Sequence, residues 1–430
     1  MFLRFRRGLI PFCALLLIAR PGDAQVVGRV LTLRSLLDSV ATQYPRVRMA
    51  DAAIRAAQGS RRTAGTFGNP MLGVQVENLP LPGSPSAAFD RETMYMLTLP
   101  LEPLYQRGPR VRQADADVRG ARADAAASRT RIGADAANAF YRVATAQIGL
   151  ETMRDLVSWL DTVVAYNRER TREGIAAEAD LIRSEIERDR ASADAAVQEA
   201  ELVRARADLL AYLGDPRTGT MGLTVAVDST PLPLPDLSGA AASRRPDLLA
   251  ASERLSAAAS AVALEGRMTF RQVGATFGLK QAAGMSSLIA GLSLPIPIFD
   301  ANRGQVQRAA AERDIAAFEL TAMERVASAE VLGAAEAARI LTTRMQALAG
   351  SGANGFLARV DESRRIALGS YREGGIPLFQ AIDAARAWGD ARFSYYRSLY
   401  AQHMSVVMLL AAQGADLLSD LPAPAGVTRP

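Results

Sequence analysis

The chain carries an internal duplication, and this feature narrows its architecture more than any other. Thr171-Arg172-Glu173-Gly174 returns as Tyr371-Arg372-Glu373-Gly374, and Ile182 matches Ile382 at the same offset. Upstream, Leu97-Thr98-Leu99-Pro100 returns as Leu292-Ser293-Leu294-Pro295, Arg107-Gly108 as Arg303-Gly304, and Pro45 has a counterpart in Pro246. The period is about 200 residues, far longer than the ~20–50 of solenoid repeats, so each copy must be a structural unit rather than one layer of a stack. The first copy is read as residues 25–230 and the second as 241–419. Between them, Pro231-Leu232-Pro233-Leu234-Pro235 opens a semi-rigid linker over 231–240, and 420–430 reads as a flexible tail.

Both copies show the same order: an Ala-rich helix (Leu33 to Ala64; Ala241 to Gly266), two strands, a long helix, a Gly turn and a returning helix. From about Gln106 to Glu173 there is no Pro after Pro109. About 65 residues at 1.5 Å each make a rod near 100 Å long. Ile132, Ala136, Phe140, Val143, Ala146, Leu150, Met153, Val157, Leu160 and Val164 follow one another at spacings of three and four, which predicts a narrow coiled-coil seam. The second copy repeats the long helix from Gln305 to Leu368, and Ala177 to Tyr212 and Leu378 to Leu418 return antiparallel across short turns at 172–176 and 372–377.

The strands, at about 69–79, 91–101, 269–281 and 286–298, are recognised by alternation. Leu72, Val74 and Val76 alternate with Gly73, Gln75 and Glu77, while Tyr95, Leu97 and Leu99 alternate with Met94, Met96 and Thr98. Val273, Ala275, Phe277 and Leu279, then Leu288, Ala290, Leu292 and Leu294, repeat the pattern. Such strands suit a half-buried sheet in a soluble domain, or a membrane barrel with a wet lumen. Four strands cannot close a single-chain barrel, which begins at about 8, so membrane strands here would have to be pooled between chains. On that reading the polar face, Gln75, Glu77, Gln272, Thr276 and Lys280, lines the lumen.

Composition limits the alternatives. Arg4, Arg6 and Arg7, the apolar run Leu9 to Ile18, and the small residues Gly22 and Ala24 read as a secretory signal peptide over 1–24. No later stretch is apolar and long enough for a membrane helix, so insertion would need a barrel or a lipid. Cys13, the single cysteine, lies in the apolar run without the small residues expected ahead of a lipidated cysteine. The formal charge is +5, but without residues 1–24 the 50 basic and 45 acidic residues fall to 46 and 44, which gives no sign of a nucleic-acid partner. His403 is the only histidine, and no Gly-rich phosphate loop or paired acid and base occurs, so neither a catalytic centre, nor a cofactor, nor a metal cage is expected. Met94, Met96, Met404 and Met408 offer two readings, steps for copper or plain packing, of which packing is preferred, and Trp159 and Trp388 also read as packing residues.

Helical hairpins beside a duplicated two-strand set resemble the TolC family of outer-membrane efflux proteins. Asn69-Pro70, Leu99-Pro100-Leu101, Arg244-Arg245-Pro246-Asp247-Leu248 and Leu294-Pro295-Ile296-Pro297-Ile298-Phe299-Asp300 with Asn302-Arg303-Gly304 carry the likeness, in that order and over essentially the whole chain. Asn69-Pro70 and Val76-Glu77-Asn78 are similar to the heavy-metal branch typified by CzcC and CusC. The resemblance implies an α+β membrane protein: a homotrimer with a shared 12-stranded β-barrel and a helical α-barrel reaching from a Gram-negative outer membrane into the periplasm. It implies a passive duct, not an enzyme, working with a periplasmic adaptor and an inner-membrane pump.

The resemblance also assigns roles to the turns. Arg172-Glu173-Gly174-Ile175 and Arg372-Glu373-Gly374-Gly375 become adaptor-docking tips, although a solvated, Gly-terminated helix end explains the glycines equally well. Asp180, Glu185 and Asp383 become rings of charge in a pore constriction, with Gln380 standing where TolC itself has another acid; a solvated helix face is the alternative. The competing identity is a periplasmic coiled-coil adaptor or scaffold without a membrane barrel.

Overall fold

The computed structural model describes residues 30–79, 90–213, 223–235, 245–350 and 355–419. The expected signal peptide with Cys13, linker residues 236–240, the expected helix start at 241–244 and the tail 420–430 lie outside the described residues.

The first copy opens with β1 (Val30–Leu31), α1 (Leu33–Gln43) and α2 (Pro45–Ala64). One helix over Leu33 to Ala64 was expected, and Pro45 divides it. A residue ahead of proline is driven out of the helical region, and Tyr44 is extended at φ −69°, ψ 126°. Thr32 and Ser35 form a reciprocal capping box at the start of α1. Next come β2 (Met71–Glu77), β3 (Glu92–Pro100), α3 (Pro103–Arg172), α4 (Glu178–Leu213) and β4 (Thr224–Val225). The 70 residues of α3 give a rod of about 105 Å.

The second copy has α5 (Pro246–Arg267), β5 (Gly274–Ala282), β6 (Met285–Ser293), α6 (Arg303–Ala349), α7 (Phe356–Arg372) and α8 (Leu378–Ala412). Pro246 begins α5 as Pro45 begins α2. The expected unbroken helix from Gln305 to Leu368 is in fact two. Gly350 leaves helical geometry at φ 29°, ψ 155°, and α7 starts anew after Gly355. Three glycines within Gly350–Gly355 favour a break over the cost of keeping them helical. The returning helix also stops short of Leu418. Gly414, at φ +81°, ends α8, and Leu417 and Leu418 fold back into the core.

The two hairpins lie side by side in one antiparallel sheet, order β2-β3-β5-β6. Leu72, Leu97, Phe277 and Ala290 stand in register across it, as do Val74, Tyr95, Leu279 and Leu288. Among the described residues no helix is packed across either face. β5, expected at 269–281, starts at Gly274, and β6, expected at 286–298, stops at Ser293 ahead of Pro295 and Pro297, which cannot donate to a ladder.

The main core lies midway along the rods. There α3 is packed against α1, α2, α4 and α8, while α5 covers the half of α3 nearer the sheet, so its buried surface is wider than a heptad seam. Ala137, Ala144 and Tyr141 are buried along with Ala136, Phe140 and Val143. Alanine keeps the helices close, and at Gly133 any side chain would strike Leu417. A second, parallel sheet of two residues per strand pairs Val30 with Thr224. It is held by Gln147 on α3, whose amide bonds both the N–H (3.2 Å) and the C=O (3.5 Å) of Val225. Gln402 on α8 treats Leu232 of the Pro-rich linker in the same way, at 3.0 and 2.8 Å.

Candidate functional site

The four-stranded sheet divides into two chemically different faces. One presents Leu72, Val74, Tyr95, Leu97, Phe277, Leu279, Leu288 and Leu292, each exposed, with Leu288 at 86%. The other presents Gln75, Glu77, Thr276 and Lys280, as expected, together with Glu92, Thr98, Gly73, Gly278 and Gly291. Gln272 is not on it. It precedes β5, with φ +61°, where the chain turns from α5 into the sheet.

Charges on the second face sit near the hairpin ends of the strands. Glu77 and Glu92 are direct cross-strand partners, an arrangement of like charges that Lys280 offsets by an ion pair with Glu92. Gln75 donates to Glu77 at 2.8 Å. Glu92 was missed by sequence reasoning, since only the β3–β5 register brings it near Lys280. Met71, Met94, Met96 and Met285 share this face, and Met94 and Met96 therefore have no core beneath them, contrary to the packing role expected of them.

At the far end of the rods the two turns are built alike. Ile175 N–H donates to Arg170 C=O (2.8 Å) and Gly174 N–H to Thr171 C=O (3.0 Å); Gly375 and Gly374 repeat this onto Ser370 and Tyr371. These are Schellman caps, which require a left-handed residue, supplied by Gly174 (φ +75°) and Gly374 (φ +78°). Arg172, Glu173, Ile175, Arg372, Glu373 and Gly375 are exposed around them.

The tips are fastened to each other. Tyr166 on α3 donates to the Arg372 carbonyl at 2.9 Å, and Tyr371 on α7 bonds buried Asn167 on α3. Burial drives the Tyr371 phenol above its ordinary pKa, while the Asn167 bond opposes that shift. Neither contact was foreseen. The one signal is the asymmetry of the repeat, tyrosine at 371 where the first copy has Thr171. Beneath the tips, Leu156, Trp159, Leu160, Leu378, Ile382 and Trp388 form a separate apolar cluster.

The expected constriction residues differ in state. Asp180, Gln380 and Asp383 are exposed, and neither acid has an ion pair among the described residues. Glu185 is half-buried and paired with Arg168 across the hairpin at 2.8 Å. His403 is fully buried on α8, edge-on to Tyr141, with Nε2 bonded to the Thr230 carbonyl at 2.9 Å. Among the described residues no three of His, Cys, Asp and Glu are grouped to hold a metal, and no helix is long and apolar enough to cross a membrane.

No protein-family model matches the sequence, and no curated protein matches it. The fold is nonetheless a known one, that of outer-membrane channel proteins. The CmeC outer-membrane channel of Campylobacter jejuni superposes with a TM-score of 0.76 at 15% identity, covering 89% of this chain and 85% of CmeC. CusC, described by its transmembrane channel formation, gives 0.73 at 17% identity over 96% and 99% of the two chains. The outer-membrane channel OprN gives 0.73 at 20% identity over 90% of each.

Proposed function

We propose that this chain is a subunit of a trimeric outer-membrane channel of the TolC family, the passive exit duct of a tripartite efflux system. The observation that carries the reading is the sheet. An exposed apolar band on one face, a polar second face and two edges, β2 and β6, without partner strands among the described residues fit a segment of a barrel facing lipid outside and water inside. Three copies would contribute twelve strands, from four per chain.

The rods favour the same partner. Ile315, Phe318, Val326, Leu332 and Ile340 on α6, and Ile182, Ile186, Val197 and Val203 on α4, are exposed in the single chain and would be covered by neighbouring copies. In this reading the tips around Gly174 and Gly374 meet a periplasmic adaptor that links the duct to an inner-membrane pump. Asp180 and Asp383 would give the tapering end its charge. A heavy-metal cargo is the finer reading, supported by the likeness of Asn69-Pro70 and Val76-Glu77-Asn78 to that branch. An adaptor or scaffold without a barrel leaves the apolar sheet face without a purpose.

The deciding experiment is fractionation followed by reconstitution. The expected result is an SDS-resistant trimer in the outer-membrane fraction that conducts ions across a planar bilayer. A soluble periplasmic monomer would overturn the reading.

A further inference from the structure

Where the sheet joins the rods, the side chains left uncovered are of two kinds. The first are apolar. Past the last ladder residue of β6, Leu294 and Ile296 keep the period-two phase of Leu288 and Leu292 on the apolar face, and with Ile298 and Phe299 they stay exposed, Phe299 fully. Pro295 and Pro297 have no N–H, so this segment has fewer donors to satisfy in a poorly hydrated layer. Phe67, Leu104 and Phe270 add exposed apolar surface at the neighbouring strand–helix junctions.

The second are cationic. The stretches 62–67, 102–112, 265–271 and 300–304 hold seven arginines against three acids, Glu102, Glu265 and Asp300. That surplus of four exceeds the surplus of two over residues 25–430, so the remainder is on balance acidic. The stretches meet in space: Arg107 Nε donates to the Gly65 carbonyl and Arg267 Nη1 to the Tyr105 carbonyl, both at 2.8 Å, and Arg271 bonds Asn302. None of the seven has an ion pair among the described residues, while Asp300 and Glu265 each accept from Asn302 at 2.8 Å. Arg110 has Nε and Nη2 enclosed and without a hydrogen-bond partner, in a cleft it shares with Arg271. Arg107 lies 5.7 Å over the exposed Phe67 ring, a cation set on an apolar anchor.

We propose that this junction is a collar that selects anionic phospholipid: Leu294, Ile296, Ile298 and Phe299 enter the headgroup region of the periplasmic leaflet, and the unpaired arginines hold its phosphates. The proposal rests on the channel reading and adds a lipid partner to it. Continuity with the apolar face of the sheet sets the depth of the collar. The charge surplus sets the class of lipid, because a zwitterionic headgroup would need only the apolar stripe. A second copy of the chain could cover the apolar segment, but it would bring a second surplus of arginines against the first. Each arginine near an anionic surface favours it by about five-fold at low salt.

The test uses the full-length protein with Phe299→Trp, reconstituted in vesicles that mix phosphatidylcholine and phosphatidylglycerol, one or the other carrying brominated chains that quench tryptophan on contact. Trp159 and Trp388, in the cluster beneath the tips, give a constant background. The expected result is quenching of the introduced tryptophan with phosphatidylglycerol preferred by about five-fold or more at low salt. That preference should vanish at about 1 M salt, and adding Arg62→Gln/Arg107→Gln/Arg303→Gln should remove it at low salt. Equal quenching by the two lipids at low salt, or a preference that survives both salt and the triple substitution, overturns the collar. The salt series needs no arginine variant, so it decides the question even where the triple substitution disturbs assembly. Leu288→Trp, on the apolar face of the sheet, separates the two readings. Quenching there with none at Phe299→Trp means that protein covers the segment, which overturns the collar and leaves the channel standing; no quenching at Leu288→Trp refutes the barrel, and the collar with it.

Discussion

Replacing Arg245 by Met tests whether the Arg-Arg-Pro-Asp-Leu segment is a clamp. The Arg245 side chain, 10% exposed, joins three elements. Its Nε and Nη2 donate to Asp247 at 3.0 and 2.7 Å, Nη2 reaches Glu330 on α6 at 2.8 Å, and Nη1 donates to the Ala412 carbonyl ending α8 at 3.2 Å. Removing one partner of a fully buried pair costs about 3–5 kcal/mol. Here Glu330 is 52% exposed, so its share falls in the surface range of about 0–1 kcal/mol. With Asp247 27% exposed and able to regain some water, a total of about 2–3 kcal/mol remains.

That loss corresponds to local opening about 30 to 150 times more frequent, read by amide hydrogen exchange in the first turn of α5 and the last turn of α8. The Arg245 hydrogen bond holds the Asp247 carboxyl below its ordinary pKa, with burial opposing. A lowered carboxylate pKa contributes stability above the unfolded value, and that stability is lost as pH falls through the folded one. Wild-type protection at these turns, measured against the intrinsic exchange rate at each pH, should therefore fall below about pH 4, and Arg245→Met should show little of that dependence. Unchanged exchange at pH 7 in the variant, or acceleration spread evenly to the distant tips, would refute the clamp.

Burial lowers the His403 pKa, so its contribution is complete above the ordinary value near 6.5 and is lost as pH falls through the folded value; melting curves should drop in that window, and His403→Gln should flatten the drop. Trp388→Phe removes the 2.7 Å bond to Asp361 and weakens the stacking of Arg364 at 3.8 Å, lowering stability by about 1–2 kcal/mol in denaturant titrations followed by Trp159 fluorescence. If Asp383 contributes to a charged constriction, Asp383→Ala should reduce cation conductance and its block by multivalent cations; unchanged values would remove it from that role. Arg172→Glu with Arg372→Glu should lower export in cells while the trimer and its insertion remain intact, and normal export would end the docking role of the tips.

Strand faces and turns were legible because their signals are local. Period-two alternation from Leu72 to Glu77 fixes which side chains share a face before any partner is known. Gly174 and Gly374 mark reversals because their positive φ favours a residue without Cβ. The missed features depend on distant partners or on short segments. β1 and β4, two residues each, show no period, and they exist because Gln147 bonds the backbone of Val225. Asn167 and Tyr371 lie 204 positions apart, and Glu92 meets Lys280 only through the β3–β5 register. The break at Gly350 was written in the sequence as clustered glycines, but the second copy was read as repeating the unbroken long helix of the first.

The two copies of the repeat have reached different degrees of completion. In the first, α3 is buried by α2, α4, α5 and α8, though α4 keeps Ile182, Ile186, Val197 and Val203 exposed; in the second, among the described residues, α6 packs mainly against α5 and α8 and leaves an apolar row from Ile315 to Ile340 exposed. A hydrophobic row on a rod and, among the described residues, two open edges on a sheet are separate defects that one remedy would meet if, in the proposed trimer, the neighbouring copy that covers α6 also sets its own strands alongside β2 or β6. Barrel closure and rod assembly are then coupled in the proposed trimer. The exposed ladder edges would be satisfied only as the α6 rows become buried, so a subunit alone would satisfy neither requirement in lipid.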